Sequence, residues 1–174
     1  KLFVVRRDPA LAQAALAAIV VDPSAPAIVR ASAIPRLVRF PGRATLPALE
    51  KALADPNADV RFAAANALRS ADPDLRARLL PKLLGDPVRV VRIEAARGLA
   101  GVPESRLPPE ARARLAKAQE EYVAALRFNA DRPEAQPELG GWYLALGRTE
   151  PADAAFRRAL ELDPTFVAAA VNLA

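Results

Sequence analysis

Residues 139–164 read LGGWYLALGRTEPADAAFRRALELDP, and this stretch decides the fold class. Residues 134–146 carry Leu139, Trp142, Tyr143 and Leu146 at i, i+3, i+4 and i+7, one apolar stripe of a helix. Gly147 follows, a residue that enters the left-handed, helix-ending conformation at little cost. Thr149 stands where it can cap a second helix, with Pro151 close to the first turn, where a missing N–H does no harm. Ala152, Ala155, Phe156 and Ala159 then make a facing stripe. Glycine and alanine let two helix axes approach closely, and Tyr143 and Phe156 fill the space beside them. Asp163-Pro164 ends the second helix, because the residue before a proline is pushed out of the helical region. The pattern predicts two helices packed face to face.

Small residues and aromatics in this order, over about 34 residues from Pro133 to Phe166, resemble a tetratricopeptide (TPR) repeat. Residues 167–174 restart the pattern, with Asn172-Leu173-Ala174 matching the Leu139-Gly140 opening, so the chain stops inside a repeat. Residues 110–128 place Ala118, Tyr122 and Ala125 at the spacing of Ala152, Phe156 and Ala159, like the second helix of a degenerate copy. The resemblance implies a partner-binding groove lined by the exposed face of the first helix. That face offers Glu134, Pro137, Gly141, Leu144 and Ala145, with Asn172 following in the next repeat. TPRs that clamp a C-terminal carboxylate place Lys and Asn on it. Here Pro137 and Gly141 stand in those places, which favours an apolar or shape-read peptide. Trp142 lies on the Leu139–Leu146 stripe and is read as core.

The first hundred residues repeat with a different signature. Val29-Arg30, Val60-Arg61 and Val91-Arg92 recur every 31 residues, each preceded by an Asp-Pro pair at 22, 55 or 86. Each pair leads into small residues and then a leucine: Leu37, Leu68 and Leu99. Between them lie second apolar helices at 11–20, 44–53 and 75–84. The line from Asp59 to Leu68 resembles the short bacterial form of HEAT repeats, and the match covers about residues 8–100. Asp-Pro pairs also occur at 8, 72 and 163. Asp accepts hydrogen bonds from the orphan amides of a helix start, and Pro presets the first helical φ, so the pairs are read as helix entries. Pro35 and Pro81 fall inside apolar patterns, where a kink or a late helix start is expected. Residues 101–108 are a Pro-rich junction, dividing a HEAT-like segment, 1–100, from a TPR-like segment, 109–174.

Charge divides along the same line. Residues 1–100 hold 16 basic and 9 acidic side chains, whereas residues 101–174 hold 9 and 11. Arg30, Arg61 and Arg92 are expected to stack in a ladder, one per repeat. In the preferred reading each guanidinium clamps an aspartate of its own or the adjacent repeat, such as Asp55, Asp59 or Asp86. The alternative is a strip, joined by Arg36, Arg89 and Arg97, that binds an acidic segment or a nucleic acid. No aromatic or base-reading group accompanies these arginines, which counts against nucleic acid.

Composition removes most chemistry. The 174 residues include no Cys, His or Met, which excludes thiol nucleophiles, histidine bases, ordinary zinc sites and C-x-x-C-H haem attachment. Alanine is roughly a quarter of the chain, favouring many close-packed helices over a sheet. No apolar run approaches the ~18 residues of a membrane span. The absence of an initiator Met and the broken last repeat read as a piece of a longer protein, and the 21 arginines against four lysines suit a GC-rich bacterial genome. The expected fold is all-α, a right-handed superhelical solenoid of HEAT-like and then TPR-like helix pairs. The expected role is a non-catalytic protein-interaction or scaffold module without metal or cofactor. Val167, Ala170, Val171 and Leu173 would leave an apolar end through which the chain could self-associate. The HEAT-then-TPR order is similar to the C-terminal repeat region of proteobacterial multihaem c-type cytochromes. That resemblance implies a docking or assembly arm and favours the periplasm over the cytoplasm.

Overall fold

A computed structural model of the chain describes residues 8–128, 132 and 135–173. The described residues form ten α-helices and short 3₁₀ segments, with no strand among them. The helices are α1 (Pro9–Val21), α2 (Ala27–Leu37), α3 (Thr45–Ala52), α4 (Ala58–Ala67), α5 (Pro73–Leu79), α6 (Arg89–Gly98), α7 (Pro109–Arg127), α8 (Ala135–Ala145), α9 (Thr149–Leu162) and α10 (Val167–Leu173). They make an all-α solenoid. In one layer α2, α4 and α6 stack in sequence; α1, α3, residues 73–85 and α7 form the other. Beyond α7 the stacking continues through α8, α9 and α10.

The 31-residue period is a burial period. Val60, Ala64, Ala65 and Leu68 are at most 2% exposed, and so are their counterparts Val91, Ala95, Ala96 and Leu99. In the first copy Ala33, Ile34 and Leu37 are buried as well, but Val29 is 44% exposed. The small residues let α2, α4 and α6 approach closely enough to share one continuous core, at about 25 cal/mol per Å² of apolar surface removed from water.

The Asp-Pro pairs divide into two uses, so most of them do not enter a helix as caps, and Asp163 ends α9 as its position before Pro164 predicts. Asp8 and Asp72 cap α1 and α5, accepting from Ala10 N and Asp74 N at 2.8 Å, with Pro9 and Pro73 at the first helical position. Asp22, Asp55, Asp86 and Asp163 instead close the turn before the next helix, each accepting from the N–H two residues on. Pro81 acts as expected of a helix breaker: α5 ends at Leu79 and Leu80–Gly85 continue as 3₁₀. Pro35 does not, and α2 runs through it to Leu37.

In the C-terminal half, Gly147 has φ +70 and closes α8. Arg148 N donates to Tyr143 O at 2.8 Å and Gly147 N to Leu144 O at 2.9 Å, the paired bonds of a glycine C-cap. Thr149 does not cap α9; it is the first helical residue, and no side chain caps that end. Gly140 lies against the buried Phe156 ring, so closely that an added Cβ would sit 2.6 Å from Cε1. On α10 the inward residues are Ala169 and the half-buried Leu173. Val167, Ala170 and Val171 remain exposed.

Candidate functional site

Each repeat arginine reaches forward to a carboxylate of the next element. Arg30 pairs with Asp55 in a buried contact. Arg61 Nε donates to Asp86 Oδ2 at 2.6 Å and Nη2 to Oδ1 at 2.9 Å, a two-pronged bridge. Arg92 does the same to Glu121 on α7, at 3.0 and 2.8 Å. The remaining donor turns to backbone: Arg61 Nη1 to Asp55 O and Pro56 O, Arg92 Nη1 to Asp86 O and Pro87 O. Burial works to raise the pKa of Asp86, but hydrogen bonds from Arg61 and the Val88 N–H outweigh it, so the carboxyl lies below the usual range. The hydrogen bond from Arg92 lowers Glu121 likewise.

In these pairings the guanidiniums of Arg30, Arg61 and Arg92 already face carboxylates, the arrangement of the clamp reading. The other proposed members are also engaged. Arg36 Nη1 donates to Ser32 O, Arg89 Nη2 to Glu121 O, and Arg97 Nη1 to Glu94 Oε2.

A second polar cluster lies where α6, α7 and α8 meet. Glu94 on α6 is 1% exposed, although the equivalent position in the preceding repeat is Ala63. Its Oε1 accepts from Asn66 Nδ2 at 2.8 Å, and Arg69 Nε lies 3.8 Å away. Arg97 bridges the junction: Nη1 is 3.1 Å from Glu94, Nη2 is 3.7 Å from Glu138 on α8, and its Cζ lies 5.1 Å from the centroid of the Tyr122 ring. Tyr122 on α7 donates to Glu138 Oε1 at 2.8 Å and meets Trp142 edge-on at 4.9 Å. Burial, and then the hydrogen bond to Glu138, push the Tyr122 phenol up, so it stays a donor. Arg69, Arg97, Glu138, Gly141 and Ala145 open around a cleft of about 240 Å³. Trp142 also borders a larger groove of about 720 Å³ with Val123, Arg127, Phe128 and Leu146. Its buried Nε1–H has no hydrogen-bond partner among the described residues.

The model for HEAT repeats matches residues 9–100, just over half of the chain, and spans α1 to α6 with the arginines of all three clamps. The chain belongs to the HEAT-repeat family. HEAT repeats generally mediate protein–protein interaction or scaffolding and are typically non-catalytic. Neither the comparison with curated proteins nor that with solved structures found a match.

The residues expected to bind a partner lie beyond the HEAT repeats, and the fold distributes them unevenly. Gly141, Leu144 and Ala145 are exposed on α8, and Gly141 and Ala145 border the 240 Å³ cleft beside the last HEAT helix. Asn172 is exposed on α10, where its amide donates to Ala168 O in its own helix at 2.7 Å. Glu134 lies outside the described residues. Tyr122 lies on the helix whose spacing was read as a degenerate repeat, whereas Glu94, Arg69 and Glu138 also belong to the junction and were not anticipated there. The departure of Glu94 from the small-residue position of its repeat was the one visible signal. Among the described residues no helix is long and apolar enough to cross a membrane.

Proposed function

We propose that this chain is a non-catalytic scaffold module whose HEAT array carries a TPR-like arm, residues 109–174, and that a partner peptide docks along α8. The observation that carries the reading is the exposed small-residue face, Gly141, Leu144 and Ala145, beside the charged cleft at the HEAT junction. Small residues let a peptide backbone approach α8, and Leu144 offers an apolar contact. Arg97 and Arg69 on one wall and Glu138 on the other provide both signs of charge for orientation. The wholly cationic reading is disfavoured because Arg30, Arg61 and Arg92 are neutralised within the array.

Selection of random peptides on the full chain tests this. Bound peptides should lose at least about tenfold in affinity on Leu144→Asp or Ala145→Arg, about 1.4 kcal/mol. The outer-face substitution Arg78→Ala should leave binding unchanged. Peptides indifferent to α8 would refute the site. A single-stranded or duplex oligonucleotide that binds with a steep inverse dependence on salt would instead restore the anion-binding reading. A finer assignment, resting on the resemblance in repeat order alone, makes the module the docking arm of a periplasmic multihaem cytochrome. Haem-staining material retained on the chain in an α8-dependent way would support it, and retention unaffected by Leu144→Asp would count against it.

A further inference from the structure

Both α7 and α9 pack on α8, but α9 scarcely reaches α7. The groove of about 720 Å³ left between α7 and the C-terminal end of α8 has an apolar floor of Val123, Trp142 and Leu146. Phe128, at its rim, is 87% exposed. Ala116 and Ala124, both exposed, keep the α7 wall low. Small residues at such a wall let a further helix axis come close, as they do within the array.

The charges around the groove are sorted by sign. Arg127 and Arg148 stand together at the Tyr143 end: Arg127 Nη2 donates to Tyr143 Oη at 3.4 Å, and the backbone N–H of Arg148 donates to Tyr143 O at 2.8 Å. Neither guanidinium meets a carboxylate among the described residues, in contrast to the clamps at Arg30, Arg61 and Arg92. Glu120 lines the same groove without a cation of its own among the described residues. It stands seven residues before Arg127 on α7, two helical turns or about 10 Å away.

We infer that this groove receives an amphipathic helix of a partner protein. Its apolar face lies on Trp142 and Leu146, an acidic residue meets Arg127 and Arg148, and a basic residue two turns along meets Glu120. An apolar floor between opposite charges at that spacing fits one helical face, on which residues three, four and seven apart align. The order of the charges also sets the direction in which the helix lies. A nucleic acid fits less well, because Glu120 would face its phosphates. The groove is separate from the Gly141, Leu144 and Ala145 face of α8, so the inference does not rest on peptide docking there.

The test selects helical peptides of about four turns from a library with apolar positions fixed and charges randomised. Selection is on the full chain, after removal of every peptide that also binds the double variant Arg127→Glu/Arg148→Glu. Survivors should carry an acid and a base two turns apart, flanking the apolar residues. Their binding should shift the emission of Trp142, the sole tryptophan, and should weaken at least about tenfold on Arg148→Glu alone. Replacing the peptide's acid by lysine should restore binding to the double variant, a rescue that requires the variant to be folded. Leu144→Asp, on the other face of α8, should leave the affinity unchanged. No survivors, survivors without that charge order, or an affinity indifferent to Arg148→Glu would overturn the inference. An oligonucleotide, or a second copy of the chain, whose binding is lost on Arg148→Glu would assign the groove elsewhere and equally overturn it.

Discussion

Arg61 and Asp86 are 25 residues apart in sequence and share two hydrogen bonds, of 2.6 and 2.9 Å. Their side chains retain only 12% and 4% exposure. Removing one partner leaves the other charge with little access to water. Arg61→Ala should therefore cost about 3 kcal/mol in urea denaturation. The exposed pair Arg78–Glu50, at 3.6 Å, supplies the control: Arg78→Ala should cost about 0–1 kcal/mol. Equal losses at the two sites would refute the clamp as a stabilising contact.

The clamps also set the response to acid. Asp86 and Glu121 both titrate below their usual range in the folded chain. A carboxyl with a depressed folded pKa contributes stability that is fully present above its unfolded value and lost as pH falls through the folded one. The urea midpoint should accordingly be flat from about pH 7 to 5 and fall below about pH 4. Asp86→Asn should flatten part of that fall. A midpoint that declines equally in the variant would show that other carboxyls govern it.

Gly140 is held by contact rather than by backbone conformation. A methyl group there would meet Phe156 Cε1 at 2.6 Å, and Phe156 is 1% exposed with little room to retreat. Gly140→Ala should destabilise by about 1–3 kcal/mol. Gly141, with nothing within 4 Å of an added Cβ, should accept alanine with no loss or a small gain. Calorimetry of the two adjacent variants separates packing from propensity; similar Tm values would contradict the close approach of α8 and α9.

Gly147 has the opposite constraint. Its surroundings are open, but its φ of +70 is unfavourable for a side chain. Gly147→Ala should cost about 1–2 kcal/mol and Gly147→Asn less, because Asn enters the left-handed region more readily. Loss of amide-exchange protection at Arg148, whose N–H donates to Tyr143 O, would locate the damage at the α8 C-terminus. An alanine variant as stable as the parent would refute strain at this position.

Much of the fold was legible because periodicity and burial coincide. The Val-Arg spacing marked the HEAT helices, and Gly147 and Pro164 marked the ends of α8 and α9. Pro81 could be read as a break, but Pro35 could not be distinguished from it, since neighbouring packing decides whether a helix passes through a proline. The arginine ladder was legible as a pattern with two readings. Only the positions of Asp55, Asp86 and Glu121 decided between them, and Glu121 belongs to no repeat of the first family. The junction cluster was largely hidden. Glu94, Tyr122 and Glu138 come from three helices, and no local spacing links residues brought together only by the turn from α6 into α7 and α8.

The forward reach of the clamps gives the array an order in time. A ribosome releases the N-terminus first, so each arginine emerges before the carboxylate it will hold. Arg30 waits 25 residues for Asp55, Arg61 waits 25 for Asp86, and Arg92 waits 29 for Glu121. At about 5–20 residues per second that delay lasts roughly one to six seconds per repeat. Throughout synthesis the newest repeat is thus the one whose clamping carboxylate has yet to be made.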